Sequence, residues 1–176
     1  MKKLLFLLLL GLSWNNLFAQ DSYPTLPDVA PRLFYIQRTG SPNTVVYDAN
    51  VGPDGLFQKD QPINVYWLRF TENGAKQDLN YLQRTLAYGI KASNAERTNE
   101  YIFHLVSYSQ RKFRLKKDAK NRPVVVMMLN GKEAYLKRVF VKLEPTLFGL
   151  KPNIHYVEIF GVEVQSGRAS YEKFVP

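Results

Sequence analysis

Three oxygen-bearing side chains, Asp48, Asn50 and Asp54, fall close together in "YDANVGPDG", beside Gly52 and Gly55. Such a cluster invites a calcium reading, but the spacing lacks the regular oxygen ligands and the terminal Glu of an EF-hand loop. Asp and Asn also favour turns because their side chains bond to the local backbone, which accounts for all three, so the stretch reads as a corner. His104 and His155, the two histidines, each sit in a strand-like run. They would hold zinc, with Glu158, only if their strands were neighbours, and a histidine on a strand is more often a packing or edge residue. No metal and no cofactor is expected. With no cysteine, thiol catalysis is impossible, and no G-x-S-x-G elbow, Walker A loop, H-E-x-x-H pair or G-x-G-x-x-G fingerprint is present. A hydrolase acting on a glycan or phosphoester would have to draw on Asp48, His104 and Arg38.

Other side chains suit binding better than catalysis. The run "RKFRLKKDAKNR", Arg111 to Arg122, holds seven Lys/Arg and one Asp. Strand alternation places Lys112, Arg114 and Lys116 on one face and Phe113 and Leu115 on the other. Arg111, Lys112, Arg114, Lys116 and Lys117 are therefore the candidates for contact with an anionic surface, although an edge strand guarded by lysines has the same pattern. Aromatic residues make up 14% of the chain, and adjacent strand pairs such as Tyr66-Trp67 point to opposite faces. Flat rings on one of those faces can line a surface for sugars or apolar ligands.

The elements that must carry these groups are mostly strands. From Leu33 onward nine short apolar or alternating runs are separated by turn residues: "LFYIQR", "TVVYDA", "INVYWLRF", "YIFHLVSY", "KFRLKK", "VVVMML", "AYLKRVFVKL", "HYVEIFGVEV" and "ASYEKF". Asn130-Gly131 predicts a tight type I′ hairpin, the turn in which both central residues need positive φ. "TGSPN" and "QSGRAS" are further hairpin ends, and Pro123 suits a strand start. In "QDLNYLQRTLAYGIKAS", Leu79, Leu82, Leu86 and Ile90 recur at helical spacing, with Asp78 as cap and Gly89 closing the element. The expected fold is mainly β, an antiparallel β-sandwich or short β-barrel with one packed α-helix over about residues 78–88.

The ends set the compartment. Lys2, Lys3, a leucine-rich run of 11 residues and a polar stretch ending in Ala19 describe a secretory signal peptide over residues 1–19. That run is too short to span a bilayer, which takes about 20 residues, so no transmembrane helix is expected after cleavage. Residues 20–32 read as an extended, proline-rich lead-in and residues 33–176 as one β-rich domain. The protein is expected to be exported, periplasmic or extracellular. The net charge of +9 favours anionic envelope surfaces, and export makes nucleic acid an improbable partner.

"YIQRTGSPNTVVYDAN", "PINVYWLRF" and "LAYGI" together resemble an uncharacterised family of small exported bacterial proteins known only as a domain of unknown function, DUF4833-like, over Leu33 to about Phe174. The resemblance implies export and a single domain and carries no mechanism. It rests on Arg38, Asn43, Tyr47, Asp48, Asn50, Pro62, Tyr66, Trp67, Tyr88 and Gly89. Of these, Arg38, Asn43, Tyr47, Asp48, Asn50, Tyr66, Trp67 and Tyr88 are the candidate ligand-binding residues, a mix of polar and aromatic types that also suits a turn-rich β corner. The leading expectation is a non-catalytic exported β domain that binds an envelope glycan, lipid or protein. The alternatives are the periplasmic hydrolase and an outer-membrane β-barrel; several strands are short for the latter, and Lys137-Arg138 puts charge on both faces of one of them.

Overall fold

The computed structural model describes residues 23–94, 99–144 and 153–176. The expected signal peptide, residues 1–19, and the first residues of the lead-in lie outside them. All nine apolar runs form strands: β1 (Arg32–Arg38), β2 (Ser41–Ala49), β3 (Ile63–Arg69), β6 (Tyr101–Leu105), β7 (Tyr108–Lys117), β8 (Pro123–Leu129), β9 (Lys132–Glu144), β10 (Asn153–Glu163) and β11 (Ala169–Phe174). Two more, β4 (Ala75–Asp78) and β5 (Ile90–Asn94), were not among the expected runs. Asn130 and Gly131 have φ of 47° and 78°, as a type I′ turn between β8 and β9 requires.

The strands hydrogen-bond in the order β4-β3-β2-β1-β9-β8-β7-β6-β5, and β10 and β11 branch off at β9. The long strand β9 is the spine. Val126 to Leu129 of β8 pair with its first residues, Tyr135 back to Lys132, and Tyr35 to Arg38 of β1 pair with Arg138 to Val141 further along the same edge. β10 runs along the opposite edge from Glu144 to Ala134. Two arms, β1 to β4 and β8 to β5, thus leave one edge of β9, and the sheet curls between them into a half-barrel. The fold is mainly β, as expected, but a half-barrel of mixed sheet in place of the antiparallel sandwich or short barrel: among the described residues β4 pairs only with β3 and β5 only with β6, and β1 runs parallel to β9.

A β-bulge makes the branching possible. Leu136 pairs with Gly161 and Arg138 with Phe160, so Lys137 is an extra residue in β9. One extra residue reverses which parity faces inward. Ala134 and Leu136 face the core before the bulge, and Val139 and Val141 face it afterwards. The adjacent charges of Lys137 and Arg138 follow from the same irregularity. Both stay outside: Lys137 pairs with Asp28 at 2.7 Å, and Arg138 lies 4.2 Å above the Phe160 ring.

The core fills the space between the arms. Phe34 of β1 stacks on Tyr47 of β2 at 4.2 Å and reaches Phe103 and Phe113 of the other arm at 6.5 and 6.3 Å. Burying side chains of this size stabilises by about 2 kcal/mol each, and here it draws the arms together. A second cluster, Tyr35, Val46 and Tyr66, lies on the outer wall of the first arm, where Leu26 of the lead-in covers it. Gln37 donates from Nε2 to the Pro24 carbonyl at 2.6 Å, and Tyr23 packs edge-on against Phe140 at 4.9 Å, so residues 23–28 form a strap over that wall.

The helix expected over residues 78–88 is reduced to a short helical turn from Tyr81 to Ala87. Asn80, not Asp78, caps it. Asn80 Oδ1 accepts from the Gln83 N–H at 2.9 Å and Gln83 Oε1 from the Asn80 N–H at 3.1 Å, a reciprocal box. Asp78 belongs to β4, and Ile90 begins β5. Between two strands so close in sequence there is room for one turn, so the apolar spacing from Leu79 to Ile90 never lies on a single helical face. Gly89 follows the turn because the Arg84 carbonyl oxygen would lie 1.8 Å from any Cβ there.

Candidate functional site

The open end of the half-barrel holds a cavity of ≈ 340 Å³, within the range of small-molecule sites. Its lining is largely apolar: Ile36, Phe113, Val139, Val141, Val157 and Ile159 are among the side chains, drawn from both arms, from the spine β9 and from β10. Arg38 and Arg111 enter from opposite arms, Trp67 and Tyr88 lie on the first arm's side, and Tyr108 and Phe174 on the other.

Each polar group of the cavity has an identifiable setting. The Arg38 guanidinium lies 5.7 Å from the Trp67 ring centroid, and that ring meets Tyr88 edge-on at 5.1 Å. Burial raises the Tyr88 phenol above its ordinary value while the neighbouring Arg38 charge pulls it back, so at neutral pH it is a neutral hydroxyl beside a cation. Across the cavity Arg111 pairs with Glu172 at 2.5 Å and lies 5.1 Å over the Phe174 ring, which stacks on Tyr108 at 5.5 Å. Its Nη1 is buried with no hydrogen-bond partner among the described residues. A buried donor so placed is destabilising unless something accepts from it.

The helical turn forms one lip of the cavity through Leu86, Ala87 and Tyr88. Three bonds seat it: Tyr47 donates to the Tyr88 carbonyl at 2.7 Å, Trp67 Nε1 to Gln83 Oε1 at 3.2 Å, and Ser107 to the Ala87 carbonyl at 2.6 Å. Tyr47 is fully buried, and its phenol is raised well above the usual value by that burial. Leu82 and Leu86, expected to pack, are instead 63% and 68% exposed.

The eight candidate binding residues are not one surface. Arg38, Tyr47, Trp67 and Tyr88 lie on the inner face and meet at or beneath the cavity. Asp48 and Tyr66 face the other way: Tyr66 donates to Asp48 Oδ2 at 2.5 Å, and Arg32 Nε lies 3.4 Å from Oδ1. Burial, and then the Asp48 carboxylate, raise the Tyr66 phenol. Asn43 accepts from Thr71, backbone and hydroxyl, and Asn50 donates to the Gln61 carbonyl at 2.9 Å. Asp54 accepts from the Leu56 N–H at 2.9 Å, the local turn bond expected of it, whereas the Asp48 carboxylate serves Tyr66 and Arg32 on neighbouring strands and not the corner.

The basic strand β7 alternates as expected, but Arg111 shares the parity of Phe113 and so faces the cavity, away from the outer row of Lys112, Arg114 and Lys116. Arg114 of that row pairs with Glu133, and Lys117 ends the strand. The residues proposed for hydrolysis do not converge: Arg38 faces inward, Asp48 outward on the same arm, and His104 outward on β6 of the other. His155, on β10, pairs with Glu144 at 2.9 Å, and β6 and β10 are not neighbours, so the condition for a shared zinc ion fails. Among the described residues no three His, Asp or Glu side chains group closely enough for a metal ion, and no helix is long and apolar enough to cross a membrane.

Fold and cavity define an open β half-barrel with an apolar cleft lined by two arginines, one from each arm. The chain belongs to the family described as a domain of unknown function, DUF4833, whose model matches residues 34–173. No curated protein and no solved structure matches it significantly.

Proposed function

We propose that this protein is an exported, non-catalytic β domain that binds a lipid of the envelope, an amphiphile whose apolar chain enters the cleft and whose anionic head meets Arg38 and Arg111. One observation carries the reading: a cavity of ≈ 340 Å³ walled by aliphatic and aromatic side chains is lined by two cations as well, Arg38 and Arg111, one from each arm. A glycan would need hydroxyl-binding donors and acceptors along the walls, where Ile36, Val139, Val141, Val157 and Ile159 stand. An acyl chain needs none. The unpartnered Nη1 of Arg111 supplies a charge-assisted donor for a carboxylate or phosphate.

Trp67, the only tryptophan outside the expected leader, reports on the site directly. Titration with a brominated long-chain fatty acid below its micelle concentration should quench Trp67 fluorescence saturably. Arg38→Met should weaken binding about tenfold, the scale of one lost charge-assisted hydrogen bond. Val157→Phe, which narrows the cleft, should abolish it. Quenching that never saturates, or that Val157→Phe leaves unchanged, refutes the assignment.

A further inference from the structure

We infer that the helical turn at the cavity mouth is a docking face for an anionic bilayer, with Leu82 and Leu86 entering the headgroup region. The choice of a bilayer rests on the lipid reading of the cavity, since a ligand of that class is drawn from a membrane; the surface itself is an independent observation.

Leu82 and Leu86 are one helical turn apart and 63% and 68% exposed, and Tyr81 beside them is 77% exposed. Three large side chains so exposed on one short turn are unusual when the core lies within reach. The turn is held in this attitude by its bonds to Tyr47, Trp67 and Ser107. It is not a misplaced core element, because Leu79 just before it is buried. Ile154 of β10, 39% exposed, lines the same cavity as Leu86.

Charge selects the occupant. Arg84 is exposed within the turn, Lys91 is exposed on β5 just after it, and the chain carries +9 overall. Apolar side chains flanked by cations, with a tyrosine at the boundary, are the pattern of an interfacial segment on an anionic membrane. A neutral apolar protein partner would gain nothing from the cations.

The test compares wild type with Tyr81→Ser/Leu82→Ser, two exposed positions of the turn that do not line the cavity, by flotation on vesicles of phosphatidylglycerol mixed with phosphatidylcholine, and of phosphatidylcholine alone. Both proteins carry the same N-terminus, so any contribution of the leader cancels. Wild type should float with the anionic vesicles, less so in high salt, and the double variant should bind at least tenfold more weakly with unchanged melting temperature and unchanged Trp67 quenching by brominated fatty acid. Equal flotation of the two proteins, or none by wild type, overturns the inference. So does a lower sedimenting mass in the variant, which would assign the patch to a second copy of this chain. Flotation that depends on Tyr81 and Leu82, without saturable fatty-acid binding, would refute the cavity reading and leave the docking face standing.

Discussion

Single residues hold this fold at points where the backbone has no second option. Gly89 is one, since any Cβ would meet the Arg84 carbonyl. Gly89→Ala should force the helical turn off its seat and destabilise by roughly 2 kcal/mol, measured by chemical denaturation, with weaker fatty-acid binding. Tyr47→Phe should be milder, about 1 kcal/mol, because it removes the hydroxyl bond to the Tyr88 carbonyl and leaves the ring stack with Phe34 in place. Asp118 governs the β7–β8 turn. It accepts from the backbone of Arg122 and Lys120 and pairs with the Arg122 guanidinium, and these hold its carboxyl below the usual range. A depressed carboxyl stabilises above the unfolded-state pKa and loses that contribution as pH falls through the folded one. Asp118→Ala should therefore lower the melting temperature at pH 7, and the gap from wild type should shrink as pH falls below the unfolded-state carboxyl value of about 3.9. At this scale the sequence was readable where one residue type has one physical use, as Asn130-Gly131 does. Arg111 was misplaced by weighing the charge of its run above its parity with Phe113.

Elements were legible in proportion to how much apolar surface they bury. The nine strands with apolar runs were all evident, whereas β4, "AKQD", is exposed at every position and buries nothing that could give an alternation. β4 and β5 are the two ends of the sheet path, where exposed polar side chains also discourage pairing with another chain. A signal for β4 was present in Asn73-Gly74, the same dipeptide as at 130–131 and likewise at positive φ, 54° and 76°. The helix failed for the opposite reason: leucine spacing was visible, but periodicity cannot tell a buried face from one turned to solvent. The bulge in β9 was legible only as a puzzle of adjacent charges. Lys137→Ala should cost less than about 1 kcal/mol, as it removes one surface ion pair. Deleting Lys137 should instead turn Val139 and Val141 outward, and thermal unfolding should show loss of the cooperative transition.

For the whole molecule, the candidate site is a property of curvature and not of any segment. Arg38 and Trp67 could be chosen from sequence as an exposed cation and a strand aromatic, yet their partners across the cleft, Arg111, Tyr108 and Phe174, come from the far arm and the last strand. No local pattern relates these pieces, because the arms are brought together by β9, by the shared aromatic core and by the helical turn bonded to both of them. The same openness makes the free margins the least protected part of the sheet. Amide hydrogen exchange should be fastest in β4 and β5 and slowest where β9 is paired on both edges, at Ala134 and Tyr135 and from Arg138 to Val141.

The strand β9 also bears on how the chain acquires its shape. The Thr39 hydroxyl accepts from the Leu143 N–H across 104 residues of sequence, and β1 finds its parallel neighbour only there. The hairpins of the first arm can form early, but they have nothing to close against until the spine arrives. Contacts so distant along the chain make folding slow, because the entropy of closing the loop is lost before the contacts compensate for it. A chain emerging from its N-terminus would thus stay loosely assembled until most of its length is out. The export proposed for this protein would benefit from that delay, because a narrow translocation channel admits only unfolded polypeptide.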